Sequence, residues 1–425
     1  MFIMINETAR ANINNILERA IDIGQRMLVT GAEVSRVERT ITFICRAYGV
    51  RHVDVMVITS SIIVTIRGND IGVMTQMRRV PGQNFDFQRL KSLNQLSREI
   101  CAHPMTSDEI KERIRAIDTT DTISLKASLF YWALIAASFS AFFGGRLEDA
   151  VCAGIVGVFL RLLQYLLSQT KLNPYCVLVL LSFVGGMLAN SFMWFGMDIH
   201  PAAINMGNIM PVIPGLALMN SIRDMFSQET ISGLIKSAEA FILSLLIATG
   251  FAFSATGTLI AFETTGWVYL LTSFVGGFCF HLLWHGHFKD AVMGAVVCMG
   301  AWGFTMLFVA MGWNEFAGYF AGAVFATIAA EILARIYKSP ATIFLIIGVI
   351  AMVPGGSLYR TMFYAVAADW EKFGTQGIKT FLYAVSIAAG IVIATAIWET
   401  VKAWLMKRKK KDGISCTEEC CEGKS

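Results

Sequence analysis

From about residue 124 to residue 406 the chain is a succession of apolar runs. Each is close to the ~20 residues a helix needs to cross a hydrocarbon core. This pattern predicts ten spans, at 126–143, 148–167, 174–194, 200–222, 236–257, 267–285, 289–312, 314–335, 340–364 and 377–404. Upstream, charged residues recur throughout and the periodicities are shorter. Residues 9–29 read as a helix. A second helix places Val34, Val37, Ile41, Ile44 and Tyr48 on one face and ends at Gly49. Three β-like runs follow, Val53–Ile58, Ser61–Arg67 and about Val73–Arg79, with Gly68-Asn69-Asp70 predicting a hairpin turn between the last two. Residues 86–101 and 107–117 return to a helical pattern, the second with Ser107 as the expected N-cap and Asp108 and Glu109 in its first turn.

The apolar region repeats itself. Gly-Arg-Leu-Glu-Asp-Ala-Val at 145–151 matches Gly-His-Phe-Lys-Asp-Ala-Val at 286–292. His200-Pro201 matches Ser339-Pro340, and Ile213-Pro214-Gly215 matches Val353-Pro354-Gly355, all at an offset near 140. Each copy holds five predicted spans, an odd number, so the second copy is expected to lie upside down relative to the first, a plan common among secondary transporters. The expected fold is an all-α polytopic membrane domain of about ten transmembrane helices, two inverted five-helix repeats, preceded by a soluble α+β domain. The boundaries are 1–122 for the soluble domain, 123–262 and 263–406 for the repeats, and 407–425 for a tail.

The Pro-Gly pairs fall inside the fourth and ninth spans. Proline lacks an N–H and clashes with the preceding turn, so each helix is expected to open there. Unpaired backbone groups in lipid cost several kcal/mol each, so such openings belong in buried protein or beside a wet cavity. Two facing openings predict a midplane cavity, with half-helix N-termini that favour an anion or carboxylate. Polar residues follow each break: Asn220, Ser221 and Arg223 after Pro214 and Gly215; Ser357 and Arg360 after Pro354, Gly355 and Gly356. These are the candidates for substrate binding or gating. A packing kink is the alternative for the breaks, and snorkelling or topology the alternative for Arg223, Asp224 and Arg360.

Composition agrees with a membrane protein: 55% of the 425 residues are hydrophobic and 16% are charged, against about 25% in soluble domains. The basic run Lys407–Lys411 directly after the last span places that end, and with an even span count the N-terminus too, in the cytoplasm of a multi-pass cell-membrane protein. Nine cysteines without paired spacing indicate no disulfide framework. No apolar signal sequence precedes a cleavage site, so the first span is expected to act in targeting. Ionisable groups within spans call for a reason. Asp149 and Asp290 are repeat-matched and open their spans, which charge compensation at a helix N-terminus explains; coupling-ion binding is the sharper alternative. Glu331, with Arg335 one turn on, reads as an ion pair or a third coupling-ion candidate. Arg161 and Glu399 read as snorkelling residues near inner ends. His281, His285 and His287 read as an interfacial cluster without a metal pattern, and Cys416, Cys420 and Cys421 as part of a polar tail. No P-loop, metal triad or nucleophile–base pair is present, so no cofactor, no metal and no enzyme activity is expected.

One further motif stands in the soluble part: Thr30-Gly31-Ala32-Glu33-Val34-Ser35-Arg36-Val37-Glu38. It resembles the G-A-E-x-x-R-V-E signature of the ThrE-type threonine/serine exporters, and the Pro-Gly motifs are similar to that family's as well. The chain also looks like a fusion of the two-subunit relatives associated with succinate export, which divide near residue 260. The resemblance implies export of small polar metabolites driven by an ion gradient, and a coupling or regulatory role for Gly31, Ala32, Glu33, Arg36 and Glu38. A salt-bridge network is the alternative for the charged members. Expected partners are threonine, serine or a dicarboxylate, the lipid bilayer and a second copy of the chain, without nucleic acid. A membrane-anchored sensor is the reading from a different class.

Overall fold

The structure, a computed structural model, describes residues 2–68, 72–82, 84–119, 123–253 and 266–411. The N-terminal part opens with α1 (Phe2–Val29) and α2 (Val34–Ala47). In α2 the predicted apolar positions Val34, Val37, Ile41 and Ile44 are all buried, and a side chain of this size stabilises by about 1.5–3 kcal/mol when taken from water. Tyr48 caps α2 and Gly49 follows at φ +85°, where glycine carries no steric penalty. Strands β1 (His52–Ile58), β2 (Ser61–Gly68) and β3 (Gly72–Arg79) form an antiparallel sheet in that order, with Gly68 opposite Gly72 at the hairpin. The central strand turns Ile62, Val64 and Ile66 inward by the two-residue period. Then come α3 (Phe87–Ala102) and α4 (Ser107–Asp118). The cap of α4 differs from expectation by one residue: Thr106, not Ser107, accepts from the Glu109 amide at 3.3 Å, and the Glu109 carboxylate accepts from the Thr106 amide at 2.8 Å. A reciprocal box satisfies two amides where Ser107 alone would satisfy one.

The apolar part comprises α5 (Leu125–Phe142), α6 (Leu147–Ser168), α7 (Pro174–Trp194), α8 (Pro201–Ile209), α9 (Gly215–Phe226), α10 (Thr230–Phe253), α11 (Gly266–Leu283), α12 (Phe288–Ala310), α13 (Glu315–Ile336), α14 (Ala341–Val349), α15 (Gly355–Val366) and α16 (Trp370–Lys411). Eight of these helices are long and apolar enough to cross a membrane. The predicted spans 200–222 and 340–364 are instead two pairs of short helices, α8 with α9 and α14 with α15. Nine residues rise about 14 Å and twelve about 18 Å, so only a pair matches the ~30 Å core. The order of three long helices, two short and one long occurs twice. α10 begins at Thr230, earlier than the expected 236, and α16 begins at Trp370 rather than 377. The Asn69-Asp70 turn, residues 263–265 and Cys416, Cys420 and Cys421 lie outside the described residues.

Packing across the two halves is reciprocal. α9 lies against α10 and α16, α15 lies against α16 and α10, and α5 lies against α11. Small residues allow the helices to approach: a Cβ on Gly207 of α8 would stand 2.2 Å from the Ala136 carbonyl oxygen of α5. Gly207→Ala is therefore expected to destabilise the folded protein by about 2–4 kcal/mol or more, because backbone cannot yield as a side chain can. A thermal melt of the purified chain in detergent checks this.

Candidate functional site

The two breaks have the same backbone. Pro214 caps α9 at φ −80°, ψ 39°, and Pro354 caps α15 at φ −76°, ψ 42°. They also meet. A Cβ on Gly215 would lie 2.6 Å from Val353 Cγ1 and 3.0 Å from the Gly355 Cα, and one on Gly355 would lie 2.9 Å from Ile213 Cγ2. Gly356 packs as tightly against Met206 and Phe143. The midplane cavity expected between the breaks is thus closed at this point, because glycine leaves no side chain to hold the two backbones apart.

Polar groups flank this contact unevenly. On the α8–α9 side the side-chain carbonyl oxygens of Asn205, Asn208 and Asn220 are buried without a hydrogen-bond partner among the described residues. Asn208 donates its amide to the Ile204 carbonyl at 3.0 Å. Ser221 donates to the Leu218 carbonyl at 2.6 Å and accepts from Ser237 at 2.8 Å. The matching stretch of α14, Ala-Thr-Ile-Phe-Leu-Ile-Ile-Gly-Val, offers no amide side chain. Asn205 and Asn208 were not singled out from sequence, although two asparagines three apart inside a predicted span were a legible signal. On the α15 side Ser357 accepts from Gln376 at 2.7 Å. Arg360 is half-buried near the phenols of Tyr319, Tyr359 and Tyr383, and no carboxylate among the described residues pairs with it.

Arg223 and Asp224 are both buried near the end of α9 and have different partners. Asp224 accepts from Lys236 at 2.7 Å. Arg223 reaches Glu33 of the N-terminal part at 3.3 Å, and the same Glu33 oxygen accepts from Thr342 at the start of α14 at 3.2 Å. One carboxylate thereby touches both halves of the apolar part. The signature residues explain how it gets there. Gly31 takes φ +98° after α1, with the Ala32 amide bonded to the Met27 carbonyl and the Gly31 amide to that of Leu28, a Schellman turn. Ala32 is buried, and Glu33 stands at the N-cap of α2 without capping it, leaving its carboxylate free to reach outward. Arg36 lies beside Glu33, and Glu38 accepts from the Val57 amide at 3.1 Å. Arg223 above all, against the opposing effect of burial, holds the Glu33 carboxyl down at about 2. An acid with a lowered pKa stabilises its folded contact above the unfolded value near 4.5 and loses that stabilisation as pH falls toward 2. The Glu33 contact is expected to weaken across that window, and to do so less in Arg223→Gln; hydrogen exchange of the α2 amides checks both. Alanine at Gly31 would be strained and would meet Phe85 at 2.6 Å, a cost expected at about 1–3 kcal/mol in the same exchange experiment.

The repeat-matched aspartates do equivalent work. Asp149, fully buried, accepts from the Arg146 amide at 2.8 Å, from the His200 amide at 2.7 Å, and lies 2.9 Å from His200 Nδ1. Asp290 pairs with Lys91 at 3.0 Å and accepts from Ser339 at 3.4 Å. Each ties the start of its long helix to the segment leading into α8 or α14, at His200 and Ser339. Among the described residues Asp149 has an imidazole within hydrogen-bond distance, whereas His281 acts on Asp290 only through space. Glu331 pairs with Arg335 of its own helix at 2.9 Å, and that guanidinium sits 4.7 Å above Trp398, the ion-pair arrangement. Arg161 does not snorkel freely: it donates to Ser128 and to Gln164, each at 2.6 Å. His281 departs from the expected interfacial cluster, since it is fully buried against Phe87, while His285 stands 3.8 Å from Asp86. No group among the described residues gathers three metal-ligating side chains.

Eight helices long and apolar enough to cross a membrane, with two broken helices meeting in the core, describe a multi-pass membrane protein. The profile of the ThrE family, "Putative threonine/serine exporter", matches residues 18–257, and a second profile, "Threonine/Serine exporter, ThrE", matches residues 269–397. The chain belongs to the ThrE family. It is similar to the "Threonine/serine exporter" of Corynebacterium glutamicum, 24% identical over 96% of this chain and 86% of that protein. It is also similar to the "Probable threonine/serine exporter" of Mycobacterium tuberculosis, 20% identical over 89% of this chain and 75% of that protein. No solved structure matches.

Proposed function

We propose that the chain is a secondary-active exporter of small polar metabolites, with threonine and serine as its cargo, coupled to the membrane's ion gradient. The observation that carries this is the mutual contact of Gly215 and Gly355, one break from each half. Two half-helices that begin at one buried point can part by relative rotation of the halves, which opens a path on alternate sides. The pattern of contacts with the N-terminal part supports an inverted repeat. α5 starts near that part, whereas α11 ends there: Trp284, just after it, accepts from the Phe87 amide at 2.9 Å. Arg223, Asp290 and Thr342 touch the same part. With the basic tail, this favours 1–122 as a cytoplasmic domain, 123–262 and 263–406 as the repeats, and both termini inside the cell membrane.

Cargo chemistry also has support. A zwitterion needs a cation for its carboxylate and acceptors for its ammonium group. Arg360, which no carboxylate among the described residues pairs with, suits the first, and the carbonyl oxygens of Asn205, Asn208 and Asn220, unpartnered among the same residues, suit the second. A dicarboxylate would need a second cation where these acceptors stand, so the amino-acid reading is preferred over succinate. For coupling, Asp149 with His200 is favoured over Asp290 and Glu331, whose partners are a lysine and an arginine. Efflux from proteoliposomes loaded with labelled threonine, serine or succinate, under an imposed pH gradient with a protonophore control, tests the reading. Gradient-dependent movement of the amino acids is expected, and movement of succinate alone would replace the cargo.

A further inference from the structure

Glu33 is an unusual residue to find at Arg223. It belongs to a different part of the chain, sits at a helix N-cap that it does not cap, and is delivered by a turn that only glycine forms without strain. Its carboxylate oxygen meets a guanidinium from one half at 3.3 Å and a hydroxyl from the other at 3.2 Å. The neighbouring Asp224 is taken by Lys236, and among the described residues of the apolar part no carboxylate pairs with Arg223. Arg223 and Thr342 are both nearly inaccessible, at 8% and 2% exposure, yet the Glu33 side chain retains 26%. Part of the Glu33 side chain thus meets solvent, while its carboxylate is buried against Arg223 and Thr342, so cargo reaches these donors only when Glu33 withdraws. Thr342 lies in the first turn of α14, at the positive end of that helix's dipole.

A cation, a hydroxyl donor and a helix start around one carboxylate are what a free amino acid's carboxylate would also require. We propose that Arg223 and Thr342 form the cytoplasmic loading site for the cargo's carboxylate, and that Glu33 occupies this site as a built-in substitute until cargo displaces it. This deepens the exporter reading and rests on it. Because the site draws one donor from each half, a carboxylate bound there ties the halves together on the cytoplasmic side. Release of Glu33 and arrival of cargo are then one exchange, with no net change of charge at Arg223. The arrangement lets the N-terminal part set the cargo concentration at which transport begins. A site that Glu33 leaves free about one time in ten binds cargo about tenfold more weakly than the empty site would.

The test is equilibrium binding of labelled L-threonine to the full chain in nanodiscs, for the unaltered protein, Glu33→Gln, Arg223→Gln and the double variant. Threoninol, which lacks the carboxylate, and succinate serve as competitors. Thermal melts confirm that each variant is folded. Glu33→Gln is expected to tighten threonine binding about tenfold. Arg223→Gln is expected to weaken it and to erase the gain in the double variant, and threoninol is expected not to compete. A merely structural contact would leave the affinity of folded Glu33→Gln unchanged or lower, and that result would overturn the proposal while leaving threonine transport by the unaltered protein intact. If succinate binds in place of threonine and gains the same factor in Glu33→Gln, the loading site stands and the cargo assignment fails.

Discussion

Alanine at Gly215 is expected to reduce transport by about 10- to 100-fold while the protein still inserts and folds. The added Cβ would meet Val353 Cγ1 at 2.6 Å and the Gly355 backbone at 3.0 Å for Cα and 3.2 Å for N. Overpacking of this kind costs about 1–3 kcal/mol, and each 1.4 kcal/mol withheld from a required state is a factor of about ten. Alanine at Gly355 meets only the Ile213 side chain at 2.9 Å, a group that can turn aside, so its effect is expected to be smaller. The ordering of the two variants checks which neighbour, backbone or side chain, has to yield. Initial rates of threonine efflux, normalised to protein in the membrane, measure it. Full activity in both variants would remove the breaks from the mechanism.

Asparagine at Asp149 is expected to abolish movement driven by a pH gradient while leaving threonine counterflow largely intact. The physical reason lies in the pair it forms. Asp149 is fully buried and lies 2.9 Å from His200 Nδ1, so asparagine takes an anionic partner from that imidazole with little change of shape. Asp290, its repeat partner, faces Lys91 and Ser339. Asparagine there is expected to loosen the N-terminal part rather than uncouple transport. Net gradient-driven flux and counterflow, measured side by side for both variants, separate the two outcomes. Gradient-driven transport retained by Asp149→Asn would assign coupling elsewhere.

Much of the fold was legible because membrane burial is demanding. Long apolar runs, the matched Pro-Gly pairs and the α2 face at three-to-four spacing each allow few alternatives. Helix ends were read less well. The Thr106 cap and the early start of α10 at Thr230 depend on local hydrogen bonds that no periodicity reports. The site was legible in its pieces and not in their arrangement. Arg223, Pro214, Gly215, Pro354 and Gly355 stood out as costly residues in apolar surroundings. That Glu33, 190 positions before Arg223 and 309 before Thr342, closes on both is a tertiary fact. Asn205 and Asn208 escaped notice because a neutral amide in a span is a weaker anomaly than a charge.

The central claim is that the polar stretch after the first break meets water during the transport cycle, although it is packed in this conformation. Asn220→Cys in a background without other cysteines tests it most directly, with a membrane-impermeant thiol reagent applied from each side. Labelling is expected that a pH gradient shifts from one side to the other and that threonine slows. An Asn220→Cys protein that transports threonine normally, yet is never labelled from either side, would contradict it.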